Sequence, residues 1–206
     1  MSVYQSCSES PQMKRFTDSQ RAAERRASTS LRTCIEVPGG ACVVTMGFPG
    51  LTIGAGGHPG ADPERLAATL DHPALADCGL LVVLVEEAEL PEGAFDGLRM
   101  AAAARDLPLA HLPIRDYGVP GQEFAEQWQV VAPQVEALLA EGRTLGLSCH
   151  YGAGRSGTIA ASLLIDRGLS LGEAILALRE QFPDSIETEG QMAWLDARAR
   201  AGGAPV

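Results

Sequence analysis

Lysine is almost missing from this chain: of its 16 basic residues only Lys14 is not an arginine, and they face 26 acids, for a net charge of −10. So acidic a balance excludes a dedicated nucleic-acid binder, which needs a basic footprint. No apolar run approaches the roughly 18 residues that cross a bilayer as a helix, so an integral helical membrane protein is excluded too. Cysteines are few and unpaired in pattern. Cys7, Cys34, Cys42, Cys78 and Cys149 are odd in number, scattered, and form no CxxC, which rules out a disulfide framework or a zinc site and fits a reduced cytoplasm. Arginine in place of lysine, with abundant alanine, suits a GC-rich bacterial genome.

What is present suffices for one ordinary domain. The 206 residues are 46% hydrophobic and 20% charged, enough to bury a core without staples. Residues 1–33 differ from the rest. They carry six basic and three acidic residues, against 10 basic and 23 acidic in the remainder. They also lack apolar periodicity and the continuous apolar stretch of a secretory signal. Residues 1–33 are expected to form a mobile basic arm, and residues 34–206 the folded domain.

From residue 41 short apolar runs alternate with amphipathic ones. Cys42–Met46 and Leu80–Val85 read as strands, the second suited to the middle of a parallel sheet. Residues 49–60, rich in Gly and Pro, read as a loop. Asp62-Pro63 opens a helix to about Leu70. Further helices are expected over Ala94–Arg105 and 121–140, the latter kinked or divided at Pro133. Others span Ser156–Arg167 with Gly168 as its cap, a segment opened by Ser170 and Glu173, and Glu189–Arg200. Leu107–Ile114 and Leu145–Ser148 complete the strands. The order predicts a single α/β domain whose central, largely parallel, twisted sheet of four or five strands is flanked by helices. Phe124 and Trp128 fall on the apolar stripe of their helix and are assigned to the core. Gly54, Gly56, Gly57 and Gly60 lack the βαβ context of a dinucleotide fingerprint.

The chemistry concentrates in Ser148-Cys149-His150-Tyr151-Gly152-Ala153-Gly154-Arg155-Ser156-Gly157. A cysteine leaves a strand and enters a loop leading into an apolar helix, whose N-terminus offers unpaired N–H groups and partial positive charge. Gly152 and Gly154 allow successive amides to turn inward, and Arg155 supplies a fork for two phosphate oxygens. The same field favours a cysteine in its thiolate form. A thiolate against a bound phosphoryl group needs only in-line geometry to attack phosphorus.

Cys149 and Arg155 with five residues between them, Gly152, and Ser156 resemble the signature of protein tyrosine phosphatases. Pro113-Ile114-Arg115-Asp116-Tyr117-Gly118-Val119-Pro120 is similar to the acid loop of the dual-specificity and cyclin-dependent-kinase-inhibitor-phosphatase-like branch. Ala174-Ile175, Leu178-Arg179, Pro183 and Ile186-Glu187-Thr188-Glu189-Gly190-Gln191 resemble that branch's closing segment. The resemblance implies hydrolysis of phosphomonoesters, on protein tyrosines or with dual specificity, through a phosphocysteine on Cys149. Arg155 and the amides of His150, Tyr151, Gly152, Ala153 and Gly154 would bind the phosphoryl oxygens. Asp116 would protonate the leaving group, Ser156 would bond to the sulfur, and Gln191 would help position water. No metal or cofactor is implied. Partners are a phosphorylated protein or a small phosphoester. Ser148 stands where the family usually has histidine, which puts the rate in question and motivates a rival reading as a weakly active phosphate-recognition module. The loop carries no lysine, which weighs against a polyanionic inositol lipid as substrate.

Overall fold

The computed structural model describes residues 29–202 apart from 55 and 56. The expected arm over residues 1–28 lies outside the described residues. The last part of that arm is not an arm. Thr29 and Ser30 are buried and Leu31–Glu36 forms the edge strand β1, so the folded body begins before residue 34. The strand escapes a reading by hydrophobicity because only alternate positions, Thr33 and Ile35, turn inward among polar neighbours. Thr33 Oγ1 meets Thr45 Oγ1 at 2.8 Å across the pair.

Strand β2 (Cys42–Gly47) is followed by a short hairpin, β3 (Leu51–Ile53) and β4 (Pro59–Ala61), in the stretch expected to be a loop. Helix α1 (Pro63–Leu70) starts as anticipated, with Asp62 Oδ1 accepting from the amides of Glu64 and Arg65. Then come β5 (Cys78–Val83), α2 (Ala94–Ala103), β6 (Leu109–His111) and α3 (Gln122–Ala140). Pro133 does not divide α3. The carbonyl it deprives of a partner belongs to Gln129, on the exposed face where water can replace the lost bond. Strand β7 (Thr144–Cys149) feeds α4 (Gly154–Asp166), and α5 (Leu171–Gln181) and α6 (Glu189–Arg200) close the chain. Gly168 takes φ 94° and donates to the Ile165 carbonyl, while the Leu169 amide reaches Leu164 O, an end that a left-handed glycine permits.

The five-stranded sheet has the order β1-β2-β7-β5-β6, parallel throughout except for the antiparallel edge β1. Period-two alternation splits its side chains into two cores. Val43, Leu80, Val82, Leu145 and Leu147 meet Trp128, Val135, Ile159, Leu163, Leu178 and Leu195 of helices α3–α6. Val44, Met46, Leu81 and Val83 meet Leu70, Phe95 and Leu98 of α1 and α2. Phe124 and Trp128 stack at 5.5 Å within the first core. Strand β7 lies at the centre, buried along its whole length, and its carboxyl end delivers Cys149. Among the described residues no helix is long and apolar enough to cross a membrane.

Candidate active site

Cys149 is the last residue of β7, buried, and paired in register with Gly47. The loop 150–153 then packs its backbone on the end of β2. Phe48 N donates to His150 O at 3.1 Å, and Ser148 Oγ donates to Gly47 O at 3.4 Å. The serine standing in the usual histidine position is thus fully buried and spends its hydroxyl on the neighbouring strand. Gly152 adopts φ 93°, and a Cβ there would run into the Gly47 amide and the Met46 carbonyl carbon. Only glycine meets both demands. Its amide points at the sulfur, with N to Cys149 Sγ 3.2 Å, and Ser156 Oγ lies 3.4 Å from the same sulfur.

Arg155, in the first turn of α4, is only 3% exposed, so its charge needs partners. Glu89 provides them in a bidentate pair, Nη1 to Oε1 at 2.5 Å and Nη2 to Oε2 at 2.8 Å. The same Nη1 donates to Ile114 O at 3.1 Å, and Nη2 lies 3.0 Å from Asp116 Oδ1. Burial works against both charged forms, yet the mutual bonds prevail: the Glu89 carboxyl is held below its usual range and the Arg155 guanidinium above its own. Glu89 was absent from the expected site. It sits in a short 3-10 turn (Glu87–Glu89) after β5, closed by a capping box in which the Glu86 amide donates to Glu89 Oε1. Among the acids of Leu84–Glu89 (LVEEAE) nothing but spatial proximity marks this one.

Asp116 and Gln191 also converge on this end of the sheet. Asp116 Oδ1 accepts from the Tyr117 amide, with Tyr117 in the left-handed region at φ 55°. Gln191 is fully buried as the third residue of α6. Its Oε1 accepts from the amides of Glu187 and Thr188, and its Nε2 donates to Gly118 O at 3.2 Å. It braces the acid loop against the closing segment, assisted by Thr188 Oγ1 donating to Tyr117 O. The Glu187 carboxylate lies beside the Gly154 amide, which works to lower its pKa. Burial, and then Asp116 and Asp184, raise that carboxyl against the lowering by the Gly154 amide and Arg155. Tyr151 turns its hydroxyl outward to Asp184 Oδ2 at 3.1 Å. Among the described residues no group of three or more His, Cys, Asp or Glu is placed to hold a metal ion.

Residues 60–169 match the family Tc-R-P, described as a polymorphic toxin system DSP-PTPase phosphatase. The chain belongs to this family. Its phosphatase fold recurs in solved structures. Tk-PTP in its active form is 27% identical, with a TM-score of 0.56 over 83% of this chain and 97% of that one. Kinase associated phosphatase with its catalytic-site cysteine replaced by serine is 20% identical, with a TM-score of 0.63 over 86% and 96%. Human DUSP28 is 18% identical, with a TM-score of 0.56 over 85% and 96%. The last two show the fold alone.

Two substitutions test the architecture of this phosphatase-family site. Glu89→Gln should lower kcat/KM on an aryl phosphate by about tenfold to a hundredfold, the value of a charge-assisted bond. Because the folded-state pKa of Glu89 lies below its unfolded value, its stabilising contribution is complete above the ordinary glutamate range and is lost as pH falls through the lowered folded value. Urea unfolding from pH 7 to pH 3 should accordingly show a shallower acid-side loss in Glu89→Gln. Gly152→Ala should cost about 2 kcal/mol or more in stability and abolish turnover, since the backbone must move away from β2; a normal urea midpoint would contradict the packing.

Proposed function

We propose that this chain hydrolyses phosphomonoesters through a phosphocysteine formed on Cys149, as a protein tyrosine or dual-specificity phosphatase. The observation that carries the reading is the meeting of four groups at one strand end: the Cys149 sulfur, the Gly152 amide aimed at it, the buried Arg155 fork, and Asp116 ion-paired with that fork. In the resting arrangement the two Nη atoms of Arg155 serve Glu89, Ile114 O and Asp116. A phosphoryl group would take Nε and the Nη2 edge beside which the Asp116 carboxylate now lies. Displacement frees the Asp116 carboxyl, 53% exposed, to meet the ester oxygen.

In the first step the Cys149 thiolate forms the S–P bond as the P–O bond to the leaving group breaks, and Asp116 gives that oxygen its proton. In the second, water attacks phosphorus, Asp116 takes a proton back, and the sulfur leaves, with the Ser156 hydroxyl bonded to it. Arg155 and the loop amides carry the charge on the equatorial oxygens. The proposed roles of His150, Tyr151, Gly152 and Ala153 are through their backbone amides. Gln191 acts by holding the acid loop at Gly118, and it retains one amide proton for the water. The substrate is a phosphorylated protein or a small phosphoester, and a reducing cytoplasm would keep Cys149 a thiol.

A second reading, a phosphate-recognition module with little turnover, is favoured by Ser148 in the histidine position, its hydroxyl spent on Gly47 O. Hydrolysis of p-nitrophenyl phosphate without added metal separates the two. Cys149→Ser should reduce turnover to background while still binding phosphate or vanadate; persistent activity would place the nucleophile elsewhere. Wild-type vanadate binding with no turnover would favour the recognition module. Asp116→Ala should slow alkyl phosphates by about a hundredfold or more and aryl phosphates much less, because a good leaving group needs little protonation. Equal losses on both would count against the acid role.

A further inference from the structure

Arg32 stands on β1 beside the loop 150–153, yet the reaction above gives it no part. The register of β1 against β2 slips at this point. Leu31 pairs with Met46 and Thr33 with Thr45, so Arg32 is the extra residue of a β-bulge. A bulge re-aims the side chain it carries, and this one delivers the Arg32 side chain to the loop. Nε donates to Tyr151 O at 3.0 Å, and Nη1 donates to Leu31 O at 3.2 Å. The guanidinium lies 5.1 Å from the centre of the Tyr151 ring and 5.3 Å from that of Phe182. Rings and carbonyls together hold the head group in place.

The Tyr151 carbonyl and the Gly152 amide are the two ends of one planar trans peptide, so they point in opposite directions. Arg32 holds the carbonyl end, and the amide end donates to Cys149 Sγ at 3.2 Å. Gly152, at φ 93°, does not by itself keep the peptide in this sense, because glycine takes either sign of φ at little cost. Turned over, the same peptide would aim an acceptor, the Tyr151 carbonyl, at the sulfur and at any anion above it. The packing around it is close. A Cβ on Gly152 would lie 2.8 Å from Arg32 Cγ, and one on Gly47 would lie 3.0 Å from Tyr151 O. Gly47 N donates to Ser30 O at 2.8 Å, which ties the start of β1 to the same strand end. Burial, opposed by Tyr151, presses Arg32 below its ordinary pKa. Arg65 adds to that lowering, and Cys149 and Asp184 resist it, so the guanidinium and the sulfur lie within electrostatic reach of each other.

We propose that Arg32 is a positioning residue for the Cys149 site: its Nε locks the Tyr151–Gly152 peptide with the N–H toward the sulfur and the bound phosphoryl group. Its part in turnover rests on the phosphatase reading, whereas its hold on the peptide facing the sulfur does not. The residue comes from a segment whose sequence reads as part of a basic arm, and the bulge in β1 is what brings it to the loop.

Two substitutions in the full chain separate the bond from the charge. Arg32→Gln puts an N–H donor at the position of Nε without the charge, and Arg32→Met puts a methyl group there. Arg32→Met should weaken vanadate binding and lower kcat/KM on p-nitrophenyl phosphate by about tenfold or more, the value of one hydrogen bond to a charged group. Alkylation of Cys149 by iodoacetamide at mildly acidic pH, followed by mass spectrometry of its peptide, should slow by about tenfold as well. Arg32→Gln, the conservative variant, should keep all three readings within about threefold of wild type. Urea midpoints of both variants show that the fold is intact. Should Arg32→Met fail to fold, Arg32→Gln decides alone: retention supports the clamp, and a loss of about tenfold overturns it. Equal losses in the two variants would assign the effect to charge and overturn the proposal, as would wild-type behaviour of Arg32→Met. A wild-type chain that binds vanadate without hydrolysing p-nitrophenyl phosphate would defeat the phosphatase reading, while vanadate binding and alkylation would still decide the clamp.

Discussion

The bidentate pair between Arg155 and Glu89 is the constraint around which this end of the molecule is arranged. A guanidinium at the start of a buried helix cannot be left without a counter-charge, and α4 is buried along nearly its whole length. Its partner comes from the turn after β5, the strand hydrogen-bonded in parallel to β7. Strand pairing therefore sets how far Glu89 stands from Arg155, and the capping box at Glu86 sets its direction. Ile114, whose carbonyl takes another proton from the same fork, is placed by its own amide donating to Leu84 O at the end of β5. The fork thus reads the positions of β5, β7 and the chain beyond β6 together.

Around that fixed point the loops are braced by backbone contacts more than by charge. Gly47 and Gly152 let the loop 150–153 lie against β2, where any side chain at 152 would intrude. Gln191 and Thr188 hold the carbonyls of Gly118 and Tyr117, so the turn is anchored directly after Asp116 while the carboxyl itself stays half open to solvent. Such an arrangement suits a group that must change partners during a reaction: the backbone is fixed and the side chain is free to swing.

The contiguous part of the candidate site was legible in the sequence because its glycines, cysteine and arginine stand at fixed spacing along one turn. Asp116 and Gln191 were legible through the motifs around them. Glu89 was not, since it reaches Arg155 from the turn after a strand remote in sequence and sits in no pattern of its own. The same physics hid β1. An edge strand buries only alternate side chains, so Leu31–Glu36 lacks the apolar run that exposes β5 and β7 to a reader of sequence. Helix ends were the clearest feature, because Asp62, Gly168, Ser170 and Thr188 satisfy orphaned backbone groups by local contacts that need no knowledge of the fold.

The charge around Arg155 couples two events in the proposed reaction. Glu89, Asp116 and Glu187 surround a single buried cation, so with all three ionised the pocket is a poor host for a phosphate dianion. Removing one negative charge improves it, and in the proposed reaction Asp116 is the one whose removal matters most, because its carboxylate lies 3.0 Å from Nη2, where a phosphoryl oxygen would sit. When Asp116 carries a proton it no longer competes for the fork, and it then holds the proton that the leaving oxygen needs. Glu89, bound through both oxygens, cannot play this part without releasing Arg155 altogether. In the proposed reaction two carboxylates on one guanidinium therefore have different tasks: one positions it, and the other exchanges with substrate.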